Sequence, residues 1–335
     1  ASNNIVLDSS GNATFAGTLV PNSSFLRNRI INGDMRIDQR NAGASVTIGT
    51  AQTFAADRFS SEKANLSTLV ATAQQVSDGP SGFDKSLKIT VTTAESSGVS
   101  STFIGVDQRI EGFNFSSLAF GSASALSFTL SFWVKSSVTG TYPISFFNSG
   151  VTRAYLTTYT INSANTWEFK SVTVPGDTSG TWNTTNGIGL GFQMSLGAGS
   201  NSEGTAGSWS GTYKSRTSSC VNLNATLNAT WNITGVQLEV GTAATPFERR
   251  QYGQELALCQ RYYEIFGITM TSGTTYYIPY PYKVTKRAAP TLALVAGSLS
   301  SGTISGTAYN PEGAMRQINS ASTASDAQIS ATAEL

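Results

Sequence analysis

The chain has 335 residues, 39% hydrophobic and 10% aromatic, enough apolar material for a folded core and enough length for two or three domains. Charged residues make up 12% and the net charge is +1, which argues against a nucleic-acid groove or an acidic-membrane surface, since both need a basic excess. There is no histidine, which removes Ser-His-Asp and Cys-His catalysis, His-ligated zinc and the usual general base near neutral pH.

Residues 1–27 open with "ASNNIVLDSSGNATFAGTLV", two short strands around a Ser-Ser-Gly-Asn turn. Ile5, Leu7 and Phe15 are their apolar members. So few residues cannot bury a core alone, so this stretch is expected to pack on something else, most simply on copies of itself. It lacks a basic n-region and a long apolar run, so no signal peptide is visible. No apolar run anywhere reaches the ~18 to 20 residues of a membrane span.

Residues 28–58 form a lead-in segment with Arg and Asp clustered around Asn32-Gly33, a strong turn signal. These charges are expected to pair or face solvent. Over 59–245 the pattern turns all-β. "SLKITVTT", "LSFTLSFWVKS", "TWEFKSVTV", "GIGLGFQMSL" and "WNITGVQLEVG" alternate apolar and polar residues between Gly, Ser, Asn and Asp turns. In "LSFTLSFWVKS", Leu126, Phe128, Leu130, Phe132 and Val134 share one face. Strands at this rhythm, with polar turns and no helix, predict a β-sandwich or jelly roll.

Residues 246–266 differ. From Gln254, "QELALCQRYYE" carries Leu256, Cys259 and Tyr263 at i, i+3 and i+7, an apolar stripe of about three helical turns. Glu248 and Glu255 suit the helix dipole or the neighbouring arginines. The helix is expected to join the sandwich to the C-terminal strands and to present Leu256, Cys259 and Tyr263 to sister subunits, with packing on its own chain as the alternative. Residues 267–335 return to strands, a distal β tip near the lower size for independent stability; trimerisation would supply the missing burial. The predicted fold is therefore all-β: shaft stub, jelly-roll sandwich, one short connecting helix and a small distal β-domain, in a homotrimer.

Several segments carry a resemblance. "LSFWVKSSVTGTY", "TWEFKSVTVPGDTSGTW", "ITGVQLEVGTAATPFERRQYGQELALCQRYYE" and "VTKRAAPTL" resemble bacteriophage and prophage tail-fibre and virion proteins. "NNIVLDSSGNATFAGTL" looks like the end of a fibre shaft, and "NRIINGDMRIDQRNAG" is similar to the segment that begins the globular head in that group. The match runs from about Ile5 to Thr291. The central domain also resembles the jelly-roll carbohydrate-binding modules that accompany polysaccharide enzymes. The resemblance implies a homotrimeric virion fibre whose globular end meets the bacterial surface, with a surface glycan or other receptor and other virion fibre or tail proteins as partners. It supplies no catalytic residues. Neither nucleic-acid binding nor membrane insertion is expected.

Sugar binding needs flat aromatic faces with a few hydrogen-bonding groups. In "TTYYIPYPYKV", Tyr276, Ile278, Tyr280 and Tyr282 share a face if the run is a strand, and its prolines make it an edge strand or a loop arm. Tyr276, Tyr280 and Tyr282 are thus candidate receptor contacts, or they pack between subunits. Trp182 and Trp209 lie in polar loops and read as glycan platforms or as loop anchors. Trp133 and Trp231 read as core, Trp167 as core or rim. Asp107 and Glu111 share a strand face roughly 13 Å apart, too far for either glycosidase geometry, so no catalytic residue is assigned. No DxDxDG or CxxC spacing occurs, so neither metal nor cofactor is expected, and Cys220 and Cys259 read as free thiols. The expected function is adhesion of a phage tail fibre to its bacterial host. The alternatives are a structural virion or capsid fibre without a receptor site, and a carboxylate-based polysaccharide depolymerase.

Overall fold

The computed structural model describes residues 5–7, 13–15, 27–96, 100–270, 276–296, 304–309, 311–318 and 325–335, with side chains for 27–96, 100–267, 281–295, 311–313 and 328–335. Ile5–Leu7 and Ala13–Phe15 pair antiparallel.

The centre is a jelly-roll sandwich. Its seven-stranded sheet runs, in spatial order, Trp209–Ser210, Ala154–Ile161, Gly140–Phe147, Ile188–Ala198, Phe103–Glu111, Phe59–Ala64 and Thr53–Ala56. The six-stranded sheet runs Glu168–Val174, Phe128–Ser136, Thr230–Val240, Ser86–Thr93, Val70–Val76 and Val46–Thr47. Neighbouring strands are antiparallel throughout. Alternation dictates the core: Phe128, Leu130, Phe132 and Val134 face inward from one sheet and Leu190, Phe192, Met194 and Leu196 from the other, all fully buried. Leu126, expected on the same face, precedes the strand and is exposed. Phe128 meets Phe146 edge-on at 5.0 Å, and Phe132 meets Tyr159 at 5.1 Å. Trp231 is core as expected, its Nε1 donating to the Tyr159 hydroxyl at 3.0 Å.

The lead-in segment belongs to this sandwich, since Val46–Thr47 and Thr53–Ala56 extend one sheet each. Its start is bolted to the strand Thr230–Val240. Asn28 imitates a peptide group there, its Nδ2 donating to Val236 O and its Oδ1 accepting from Leu238 N. A Cβ on Gly33 would sit 2.1 Å from Val236 O, so only glycine permits this approach. The Asn32-Gly33 turn is therefore buried rather than solvent-facing, with the Asn32 side chain held by Ile37 and Asp57. The charges of this segment pair: Arg36 with Asp34 at 2.5 Å and Arg40 with Asp57 at 2.9 Å.

The helix spans Tyr252–Gln260. Glu255 in its first turn accepts from Asn32 N and lies 3.2 Å from Arg250. Its expected subunit-facing stripe is covered in part by the chain itself, with Leu256 left half-buried. Cys259 is fully buried in a cluster with Ile31, Ile37 and Tyr262, against which Leu256, Leu258 and Leu335 pack. Tyr263 is not helical; it begins the strand Tyr263–Met270 and is buried beneath the Arg40 guanidinium, 3.6 Å from its ring centroid. Spacing alone could not say what lay opposite the stripe; the lead-in segment fills that place. Cys220 and Cys259 are both free and buried.

Beyond the helix, Tyr263–Met270, Ser325–Thr332 and Thr291–Ala296 form one sheet, and Tyr276–Pro281, Gly313–Ile318 and Ile304–Tyr309 a second. Tyr276–Pro281 lies at the edge of its sheet, where proline removes no interior ladder bond. The first of these sheets is tied to the sandwich by stacked and paired charges. Arg58 lies 3.5 Å above the Tyr262 ring and pairs with Glu334, Arg40 reaches the same carboxylate at 2.9 Å, and Arg261 pairs with Glu111 at 2.6 Å. Among the described residues no helix is long and apolar enough to cross a membrane.

Candidate functional site

Inward-facing Phe132 and Val134 force Ser131, Trp133 and Lys135 onto the outer face of the six-stranded sheet. The register then sets Phe169 of the adjacent strand directly opposite Trp133, their ring centroids 5.5 Å apart. Phe169 is 48% exposed and Trp133 is half-buried. Two large aromatic side chains side by side on an outer face are the kind of exposed apolar patch that marks a recognition surface.

A wall rises beside this floor. After the strand Thr230–Val240 the chain turns back, and two buried polar side chains hold it. Gln237 Oε1 accepts from Glu248 N at 2.7 Å, while Glu239 accepts from both the amide and the hydroxyl of Thr245. This fixes Ala244–Phe247 and Arg249 along the groove. Phe247 meets Phe83 edge-on at 5.2 Å, and the Arg249 guanidinium stacks 4.6 Å from the Phe83 centroid, a cation–π contact. At the base, Gly235 has φ +63° and lies in a β-bulge. A Cβ there would come within 2.8 Å of the Phe83 ring, so glycine serves both the left-handed backbone and the packing of the floor. The groove encloses about 590 Å³, within the usual range for small-ligand sites.

The aromatic surface continues past the groove. One pleat along, Lys135 lies on the same face as Trp133, its ammonium 5.1 Å from the Trp167 ring and 2.5 Å from Asp78. Trp167 Nε1 donates to the same Asp78 at 3.4 Å. Chemically, the site offers flat faces, one guanidinium and peptide groups. No cluster of metal-ligating side chains occurs among the described residues.

The residues expected from sequence lie elsewhere. Trp182 is buried among Phe115, Phe120 and Trp209, with its Nε1 donating to Ser179 O. Trp209 is half-buried against Tyr155 and donates to Pro175 O at 2.7 Å. With its ring buried and its N–H satisfied, Trp182 is a loop anchor, and the half-buried Trp209 packs on the same cluster. Tyr282 is 8% exposed, packed on Phe266 with the Lys286 ammonium 4.9 Å from its ring, so it too lacks a stacking face for a receptor. The Tyr276 and Tyr280 side chains lie outside the described residues. Trp133, expected in the core, is the floor of the groove, and Trp167 lies at the rim. The parity that put Phe132 and Val134 inside already required Trp133 to point out; Phe83, Phe247 and Arg249 carry no comparable signal.

The two acids considered for catalysis are both engaged. Asp107 is buried, bonded by the Ser60 hydroxyl and 3.3 Å from Arg109; burial pushes its carboxyl up to about 6. Glu111 is buried and bonded by Arg261 and the Tyr262 hydroxyl.

No family model matches the chain, and no curated protein does. Among solved structures it is similar to the enzymatically active domain of tailspike protein 4 from bacteriophage CBA120, at TM-score 0.36 and 14% identity over 64% of this chain and 22% of that one. It is also similar to a family 11 carbohydrate-binding module from Clostridium thermocellum in complex with a β-1,3-1,4-mixed-linked tetrasaccharide, at TM-score 0.30 and 12% identity over 61% and 98% of the chains. A family 61 module in complex with β-1,4-galactotriose matches at TM-score 0.30 and 9% identity over 64% and 99%. These likenesses are too distant to bear on function.

Proposed function

We propose that this protein is an adhesion module of a bacteriophage fibre that binds a glycan of the bacterial surface in the Trp133–Phe169 groove. The observation that carries this reading is the uncovered aromatic pair, walled by Phe83, Phe247 and Arg249 on a rigid sheet. Sugar rings stack on flat faces of this kind, and the rim supplies donors and acceptors. The fibre context rests on the sequence likeness of residues such as Ile233–Glu264 to phage tail-fibre proteins; those residues build the groove wall and the helix behind it. Virion association with other fibre or tail proteins belongs to the same reading.

The module holds its glycan and does not cleave it. Asp107 and Glu111 are each buried and committed to neighbouring side chains, which favours a binding role over carboxylate catalysis. The subunits form a homotrimer, for which the shaft-like opening segment and the likeness to fibre proteins are the argument. Sedimentation velocity at micromolar concentration should give a trimer, and a monomer removes that part of the reading.

The site is tested on a panel of immobilised bacterial surface polysaccharides. Phe169→Ala should weaken retention, because one stacking contact is worth about 1 kcal/mol, roughly fivefold per site. Loss multiplies when several sites act together. Retention of Phe169→Ala and Trp133→Ala proteins equal to the unaltered chain would place any receptor site outside this groove.

A further inference from the structure

The chain is almost neutral overall, with 21 Lys and Arg against 20 Asp and Glu, yet the groove and the track beyond it are not. Many of the acids are spent inside the molecule: Asp57, Asp107, Glu111 and Glu264 are all buried, each in contact with a cation. On the outer face of the six-stranded sheet two lysines stand in a row. Lys88 and Lys135 flank Asn232 in one row across three strands, and Asp78 pairs with Lys135 at 2.5 Å. Asp78 itself is half-exposed.

At the other end of the track stands Arg249. Its guanidinium carbon lies 4.6 Å from the Phe83 centroid and 5.6 Å from that of Phe247, and the group donates to Gly82 O. Asp34 is 4.0 Å away, and the Arg249 side chain is 48% exposed. A guanidinium carries five donors in a planar fork. The ring contacts and the bond to Gly82 O hold the group at the groove wall, and its exposure leaves part of that fork open to a carboxylate.

We propose that the groove selects an acidic polysaccharide: sugar rings lie on Trp133 and Phe169, a uronic-acid carboxylate bonds to Arg249, and the chain continues past Trp167 over the Lys88–Lys135 row. The proposal rests on the glycan-binding reading and adds the charge of the ligand. Aromatic faces take neutral and acidic sugars alike; the cations at both ends of the track supply the discrimination. Arg249 is 48% exposed and Lys135 19%, so their attraction is partly screened by salt.

The test uses the full chain and three acidic polymers, polygalacturonate, alginate and hyaluronan, each beside its carboxyl-reduced neutral form, by affinity electrophoresis. At least one acidic polymer should bind about tenfold more tightly than its reduced partner, as expected for a charge-assisted hydrogen bond. The preference should shrink as salt rises from about 50 to about 200 mM. Arg249→Gln should bring the acidic polymer to about the level of the neutral one, so that the ratio between the two forms falls towards one. Arg249→Lys should not restore the preference, since an ammonium lacks the planar fork. Should Arg249→Gln disturb the wall, seen as a lowered melting temperature, Lys135→Gln provides the second reading, with a smaller loss of preference. Equal retention of acidic and reduced forms overturns the charge inference and leaves the groove as a glycan site. Retention by none of the six polymers overturns both.

Discussion

On the outer face of the seven-stranded sheet, Asp107, Ser145, Gln193 and Ser195 point away from the core and are nonetheless buried. Residues 199–217 lie over them: the Tyr213 hydroxyl bonds Gln193, the Ser145 hydroxyl donates to Lys214 O at 2.6 Å, and the Tyr213 ring meets Phe147 edge-on at 5.4 Å. On the outer face of the six-stranded sheet, Trp133 and Phe169 also point away from the core, and the segment Ala244–Arg249 walls the pair without closing over it. The first face buries polar groups and the second leaves aromatic ones open, so burial alone mistakes each for the other's role. What separates them is where the connecting segments run. A polar side chain under a loop must find a partner there, whereas an aromatic ring beside an open groove stays uncovered.

The largest effect that sharpens this contrast comes from two aromatic residues with opposite duties. Trp182 is 8% exposed and packed on three other rings, so Trp182→Ala should cost about 3–5 kcal/mol of stability. Phe169 is 48% exposed, and Phe169→Ala should change stability by no more than about 0.5 kcal/mol while glycan retention falls. Urea unfolding of the two variants separates the roles. A Phe169→Ala loss as large as that of Trp182→Ala would make Phe169 an anchor and the groove a packing defect of the fold.

Much of the sandwich was legible because its strands alternate cleanly. Phe128, Leu130, Phe132 and Val134 are read from period two without any partner being known. The site was legible only in part. Trp133 follows from that same parity, but Phe169 becomes its neighbour through strand register, and Phe83, Phe247 and Arg249 arrive from segments far apart in the chain. No local pattern encodes such a meeting. The helix shows the converse limit. Its stripe of Leu256 and Cys259 is visible in sequence, but an amphipathic pattern states only that something covers it, and Ile31, Ile37 and Leu335 do so from the same chain. The loop tryptophans took the anchor reading for a related reason: Trp182 and Trp209 find each other and Phe120, so a polar loop encloses an apolar cluster of its own.

The smaller effect probes the covered face through its acid. Burial holds the Asp107 carboxyl at about 6 despite the Ser60 hydroxyl and Arg109 beside it, against about 3.9 in an unfolded chain. Between those two values the unfolded chain has released this proton and the folded chain still holds it, so the folded state binds more protons and stability from this group falls as pH rises from about 4 to about 6. Below that window the carboxyl is protonated in both states and costs nothing; above it the cost is full and constant. A gap of about two pH units corresponds to about 3 kcal/mol as an order of magnitude. Asp107→Asn carries no such proton and keeps a group that can bond Ser60. Its stability relative to the unaltered chain should therefore rise across that window and level off by about pH 7, as measured by urea unfolding at pH 4, 5, 6 and 7. Other buried acids titrate in both proteins and cancel in the difference. Parallel stability curves for the two proteins would mean that Asp107 titrates as an ordinary solvated carboxylate, and that residues 199–217 do not cover this face.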